Sequence, residues 1–570
     1  MKHSCGLSAP RGYNEKHTGM PISLFSAYVR SVWLIQAVNQ LYGGSTVGGF
    51  FAQTSTALLI LVLLTAFSKS RELFTLVTLV RLALRISSMP IIWEVELWAV
   101  LMDITIVAAG TDVARAAPAI RAQLITFYAG AAFWKINTSF LDARTSCGTI
   151  FFAQLIAAYA PPLAQSAQVA FLLSKLAPVA ALAVEMAVPL LLATRRRTGL
   201  ALALVFHLLV VLTPPPNNAG GFSVCAAQYL FFFAPDAVAA ALSEALALSV
   251  PVLAALAAAI AIAGRLVGTH PFFVDTAPTA YFAQLILLWR AVVLMQPTVT
   301  VDTSAGGMQP TVTVDTSAGG HNALRTRGPL AVAAVYAFGL PMLGVVDQMA
   351  PNMFSNQRFH AGSNHLLVPT GLLHGLLPSQ LSHAAFSTIR VTSTTSERMA
   401  AQYPAEVTAS ISPGARALLA AAGHTARQWN PMLGRVIGLQ AVAGPAADAP
   451  TAALYSVPAL ELRRLIGEAQ ARGESFELSY TRLSVAVPPA WKANIEAWRQ
   501  RGAGVDVVYR WDAKARTATC SLGRGLFPPS CAADEVALLP PPQWPVSLML
   551  FQPLPILLGE SGDEVHCYGP

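Results

Sequence analysis

Between residues 22 and 347 the chain is a succession of apolar stretches, among them STALLILVLLTAF, VEMAVPLLLAT and ALALVFHLLVVLT, separated by short polar breaks. Such runs must be buried against each other or in lipid, because exposing them to water forfeits roughly 25 cal/mol for each Å² of apolar surface. Composition says which of the two to expect. Apolar residues make up 54% of the 570 and charged residues 12%, about half of the roughly 25% usual in soluble globular chains. That balance excludes a disordered chain, a collagen and a disulfide miniprotein. At roughly 20 apolar residues per crossing, it predicts a mainly α protein, a polytopic transmembrane helical bundle. Spans are predicted near 22–42, 50–67, 72–88, 91–110, 118–136, 167–193, 198–213, 221–235, 238–264, 279–296 and 329–347, a total of about eleven in a range of about 9–13. The apolar run within 147–164 is too short to cross and predicts an interfacial helix.

Charge divides the chain. Residues 1–20 are a polar tail without the apolar core of a secretory signal, which leaves the first span as the targeting element. Residues 21–350 carry the spans, and beyond Ala350 the density of charged residues rises. Residues 351–570 are therefore predicted to form a smaller extramembrane α+β domain. There SPGARALLAAAGH and PALELRRLIGEAQARG have helical spacing, whereas SFELSYTRLSVAV and GVDVVYRW alternate as strands do.

Basic residues in the loops, namely Lys69 and Arg71, Arg115 and Arg121, Arg195 to Arg197, and Arg325 and Arg327, all follow even-numbered spans. The positive-inside rule then predicts a cytoplasmic N-terminus and a lumenal C-terminal domain. The expected location is multi-pass in a membrane: the endoplasmic reticulum or another endomembrane of a eukaryotic cell, or the plasma membrane of a bacterium. The lipid bilayer is the expected partner, and the net charge of +8 lies largely in basic loops and requires no nucleic acid. Cys520, Cys531 and Cys567 fall in the predicted lumenal domain, where two of them could pair. Their spacing fits no zinc motif, so no metal is predicted. The segment MQPTVTVDTSAGG occurs twice in succession, at 295–307 and 308–320, and predicts a flexible loop.

Ionisable side chains within apolar segments are costly and point to function or to buried ion pairs. They include Arg81 and Arg85 at i, i+4, Glu94, Glu96, Asp103, Lys135, Glu185, His207 and Arg290. The plain expectation for most of them is structural pairing, arginines of the third segment with carboxylates of the fourth. Glu94, Glu96, Asp103, Glu185 and Arg290 could instead line a proton or solute path, which makes a transporter or a non-enzymatic membrane scaffold the alternative to an enzyme. Lys135 ends an aromatic and apolar run, LITFYAGAAFWKINTSF. Burial there disfavours the ammonium form and makes the neutral amine available as a base. Asn137-Thr138-Ser139 is formally a glycosylation sequon.

Three segments carry a family resemblance. FYAGAAFWKINTSF resembles the tyrosine, alanine-glycine, lysine and aromatic segment of the vitamin K-dependent gamma-carboxylases and of the wider HTTM membrane domain. VEMAVPLLLATRRRTGLALALVFHLLVVL followed by GGFSVCAAQYLFFFAP resembles that family's acidic helix, basic turn, histidine helix and phenylalanine-serine segment ending in aromatics. MFSNQRFHAGSNHLLVP, at 353–369, is similar to segments just after its last span. The resemblance covers roughly residues 20 to 370.

It implies a lyase-like enzyme in which Lys135 is the base acting on reduced vitamin K or another quinol. Oxygenation of the quinol would generate a base that removes a γ-proton from a peptide glutamate, so a peptide or small-molecule substrate at the lumenal face is implied. His207 falls at the family's helix histidine. Where the carboxylases have a tryptophan followed three residues later by a histidine, this chain has Trp93 and Glu96. The catalytic set that the resemblance implies is therefore Lys135, Glu96 and His207.

Overall fold

The structure is a computed structural model. It describes residues 22–35, 52–87, 95–214, 220–268, 277–295, 320–342, 355–356, 365–367, 388–400, 402, 405–406, 411–425, 428–430, 455–482, 505–522, 554–555 and 567–568. The polar tail over 1–20, residues 296–319 of the tandem copies, and Cys531 lie outside them.

The N-terminal part is helical. Ser23 caps α1 (Leu24–Tyr28), which continues through a π-turn over Val29–Trp33. Then come α2 (Ala52–Ser68), α3 (Arg71–Ser87), α4 (Val95–Ala108), α5 (Val113–Trp134), the single turn α6 (Thr138–Leu141) and α7 (Cys147–Tyr159). A 3₁₀ turn over Pro161–Gln165 leads to α8 (Ala167–Thr194), followed by α9 (Arg196–Leu212), α10 (Gly220–Leu230), α11 (Pro235–Leu246), α12 (Val250–Gly268), α13 (Ala277–Leu294) and α14 (Gly320–Ala334). Phe25, Tyr28, Trp33, Phe74, Trp98 and Phe127 are among the side chains of one large buried core shared by these helices.

This is not the polytopic transmembrane bundle expected from the sequence. Among the described residues one helix, α8 at 28 residues, is long and apolar enough to cross a membrane. A second candidate arises only if the segments Gly220–Phe233 and Pro235–Leu246, bent by 107° at Ala234, are taken as one. The physical reason lies in where the apolar runs break and what they face. Helix α4 is 14 residues long and buries Leu97, Trp98, Ala99, Val100, Met102 and Ile106 inside the protein. Helix α5 reaches 22 residues but carries Arg115, Arg121 and Gln123 along its length. Part of the apolar composition is thus spent on packing between helices, and with one helix fit to cross among the described residues the multi-pass location loses its support together with the loop-charge orientation built on it. Helix α8 does present an exposed apolar face with Phe171, Leu172, Leu176, Val179, Met186 and Leu190.

The C-terminal part adds β1 (Thr388–Thr394), a turn α15 (Glu397–Ala400), β2 (Ala405–Glu406), α16 (Pro413–Ala421), β3 (Gln428–Asn430), β4 (Tyr455–Pro458), α17 (Ala459–Ala471), β5 (Phe476–Arg482), β6 (Val505–Asp512), β7 (Thr517–Leu522), β8 (Leu554–Pro555) and β9 (Cys567–Tyr568). Helices α16 and α17 and strands β5 and β6 form where the spacing predicts them. The larger sheet has six strands in the order β7-β6-β5-β1-β4-β8, all antiparallel, and α17 packs on it through Leu462, Leu465 and Ile466. The smaller sheet is β2-β3-β9, with β9 parallel to β3.

A third core joins the two parts. Ile411, Ala415, Leu418 and Leu419 pack with Phe140, Cys147 and Ile150, and a disulfide links Cys147 to Cys567. Cys567 therefore pairs with a cysteine of the helical part rather than with Cys520 or Cys531, because β9 ends beside the start of α7. Cys520 is also disulfide-bonded.

Candidate active site

Helix α5 starts at Asp112, whose carboxylate accepts the Arg115 N–H, and ends at Lys135, which caps it. Gly130 sits where α5 meets Ala337, whose Cβ would lie 2.9 Å from an added methyl group, so only glycine permits this approach. The chain then bends into an elbow held by side chains far away in sequence. The Asn137 Oδ1 caps α6 by accepting the Phe140 N–H, and its Nδ2 donates to the carbonyls of Trp134 and Ser355 at 2.7 and 2.6 Å. Nε2 of His365 donates to the Phe133 carbonyl at 2.8 Å. Asn356 accepts the Cys147 N–H and donates to the Thr145 carbonyl. Asn137 is fully buried and spends its amide on these bonds, which answers the glycosylation sequon.

This elbow and α5, α7, α8, α9 and α10 surround a cavity of about 140 Å³. Its walls are apolar and aromatic, with Phe140, Phe151, Phe152, Phe206 and Phe222 among them; the polar side chains that reach it are Tyr128, Lys135, Glu185 and Thr213. An apolar pocket with a few convergent polar groups is the usual form of a small-molecule site. Nζ of Lys135 lies 2.8 Å from the Glu185 carboxylate, and both side chains are largely buried. Such a pair is expensive to desolvate and contributes little net stability. Its place at the edge of a cavity, rather than inside a packed core, is what makes it a candidate for chemistry.

Behind the cavity wall runs a second polar chain. Tyr128 Oη is 2.5 Å from Nε2 of His207, and Nδ1 of His207 is 3.1 Å from the Ser223 hydroxyl. His207 is wholly buried, and this burial pushes its imidazole down to about 3, so it is neutral near pH 7. Burial likewise pushes the Tyr128 phenol well above its ordinary range.

Two of the three residues expected to be catalytic, Lys135 and His207, thus belong to one site, the histidine reaching it through Tyr128. Lys135, expected from the sequence as a base at the end of an apolar run, is one half of an ion pair. Glu96 lies in the first turn of α4, and its side chain is outside the described residues. Asp103 pairs with Arg81 at 2.7 Å, and Arg290 pairs with Glu244 at 2.8 Å on the surface. Of the charges that could have lined a solute path, Asp103, Glu185 and Arg290 each stand in a separate ion pair, and Glu94 and the Glu96 side chain lie outside the described residues. Among the described residues no three metal-ligating side chains converge.

The sequence reading missed Tyr128 and Ser223. Tyr128 precedes Lys135 by two helical turns, so it shares the lysine's face, and that spacing was the available signal. Ser223 lies in the phenylalanine-serine segment that carries the resemblance, but its contact with His207 arises only from the packing of α9 against α10.

Residues 363–548 match a family described as a domain of unknown function (DUF8388). The match falls on the sheet-bearing part and leaves the cavity outside it. No curated protein and no solved structure matches the chain.

Proposed function

We propose that the protein is an enzyme that binds a quinol in the cavity beside Lys135 and Glu185 and uses that pair to accept the proton of a ring hydroxyl, in a carboxylase-like reaction of the kind the gamma-carboxylase resemblance implies. The observation that carries this reading is a buried ion pair bordering an aromatic, apolar cavity. Residues and ligand are compatible in size and character. An engineered apolar cavity of roughly 150 Å³ takes up one benzene ring, so about 140 Å³ accommodates a single ring with its substituents leaving through the mouth.

Phe140, Phe151, Phe152, Phe206 and Phe222 would hold the ring and exclude water from it, and the Lys135–Glu185 pair would lie against a ring oxygen. A bound quinol supplies, on oxygenation, the strong base that takes a γ-proton from a peptide glutamate. The protein's own task is to orient the ring and to accept its proton. Glu185 is the acceptor best suited to this, because burial raises its carboxyl above the usual carboxylate range, and Nζ of Lys135 beside it would donate a hydrogen bond to the oxyanion left on the ligand.

The test is quinol-dependent incorporation of labelled bicarbonate into a glutamyl peptide. Lys135→Met is expected to lower turnover at least a hundredfold and Glu185→Gln at least tenfold, each in protein shown to be folded by its circular dichroism spectrum, because removing one half of a buried ion pair itself lowers stability. Full turnover in a folded Lys135→Met protein would sink the reading.

A further inference from the structure

The Tyr128–His207–Ser223 chain has no part in the reading above, although Tyr128 faces the same cavity as Lys135. A neutral imidazole carries one N–H, and its two nitrogens here face two hydroxyls, each able both to donate and to accept. Two arrangements with the same number of protons satisfy both ring nitrogens. In the first, Tyr128 donates to Nε2 and the Nδ1–H donates to Ser223; the Tyr128 oxygen then turns only lone pairs to the cavity and accepts a hydrogen bond from a ligand hydroxyl. In the second, Ser223 donates to Nδ1 and the Nε2–H donates to Tyr128; the phenol proton is then free to point into the cavity and donate to a ligand carbonyl.

The complete burial of His207 and Ser223 keeps water from fixing one arrangement. A ligand can therefore select between them through the hydrogen bond it offers. Tyr128 and Lys135 share a helical face, two turns or about 10.5 Å apart along the axis, so a ring in the cavity has a polar group towards either end.

We propose that Tyr128, His207 and Ser223 form a hydrogen-bond relay of reversible polarity that recognises one oxygen of an aromatic ring both as a hydroxyl and as a carbonyl, so that the pocket holds its ligand in the reduced and the oxidised state. This rests on the quinol reading of the cavity and extends it to the second ring oxygen. It is a binding role: no bond of the ligand changes, and between the states His207 loses the proton on Nδ1 and gains one on Nε2, with no net change in protons, while the two hydroxyls rotate.

The test uses the full-length protein with durohydroquinone, kept free of oxygen, and duroquinone. Their fully methylated single ring leaves no position open to attack by lysine or thiol. Affinities are measured by calorimetry for the unsubstituted protein, Tyr128→Phe and Lys135→Met, and the His207 tautomer is read by nitrogen NMR on protein carrying labelled histidine. The unsubstituted protein is expected to bind both probes, and Tyr128→Phe to weaken both about tenfold, the effect of losing one hydrogen bond. The ring proton of His207 is expected on Nδ1 with the hydroquinone and on Nε2 with the quinone.

One and the same tautomer with both probes, or a Tyr128→Phe effect confined to one of them, overturns the relay. So does a protein in which Lys135→Met weakens binding and a folded Tyr128→Phe does not, and in that case the quinol reading stands. Binding of neither probe to the unsubstituted protein overturns both.

Discussion

Arg81 and Asp103 lie 2.7 Å apart in a packed core, where Tyr28 also donates to the carboxylate, whereas Lys135 and Glu185 lie 2.8 Å apart at the edge of a cavity. The surroundings separate their roles. A pair that is closed in on every side and satisfied by a neighbouring phenol has no atom left for a ligand, so Arg81 and Asp103 are structural. Asp103→Ala is expected to strand a buried guanidinium and to lower stability by about 3–5 kcal/mol. The double replacement Arg81→Met with Asp103→Leu should recover most of that loss, measured by denaturant unfolding. A double variant as unstable as Asp103→Ala alone would show that the pair holds more than itself together.

Glu185 and His207 stand on two helices, α8 and α9, joined by the single residue Arg195. So short a connection brings the two backbones into contact at Gly199. A Cβ there would lie 2.3 Å from the Leu192 nitrogen and 2.5 Å from the Leu191 carbonyl carbon, closer than any real side chain sits. Backbone atoms cannot swing aside as a flexible side chain can, so the helices themselves would have to part. Gly199→Ala is therefore expected to lower stability by about 1–3 kcal/mol and to weaken quinol binding, since parting α8 from α9 moves Glu185 away from Lys135 and His207 away from Tyr128. Calorimetric melting together with duroquinone titration checks this; an unchanged melting temperature would contradict the close approach.

The molecule is tied together at the point where the cavity wall begins. Cys147, the first residue of α7, is bonded to Cys567, 420 positions later, and α7 supplies Phe151, Phe152 and Leu155 to the cavity. His424 donates to the Ser146 carbonyl and Thr425 to that of Arg144, so the C-terminal part grips the same turn by hydrogen bonds as well. Cys567→Ser is expected to lower stability by about 2–4 kcal/mol and to leave Cys147 open to maleimide labelling on local opening. In the unsubstituted protein Cys147, located by mass mapping and so told apart from the free Cys225, is expected to label only after a dithiol reductant. Labelling of Cys147 without reductant would show that the bond is not formed.

What the sequence determined by itself was local. Helical spacing at 412–424 and 458–473 and alternation at 475–487 and 504–511 reappear, over the described residues, as α16, α17, β5 and β6, because periodicity depends on neighbours a few positions away. The lysine at the end of the aromatic run was singled out for the same reason, as an unusual charge in an apolar setting. Apolar content, however, measures only how much surface must leave water and not what replaces the water. The same low charge that predicts many spans is satisfied here in part by helices packing on one another. Which carboxylate Lys135 meets, which hydroxyls flank His207 and which cysteine bonds to Cys567 are contacts across dozens to hundreds of residues. Only the tertiary structure decided them, because nothing in local spacing encodes a partner that packing alone brings within hydrogen-bonding distance.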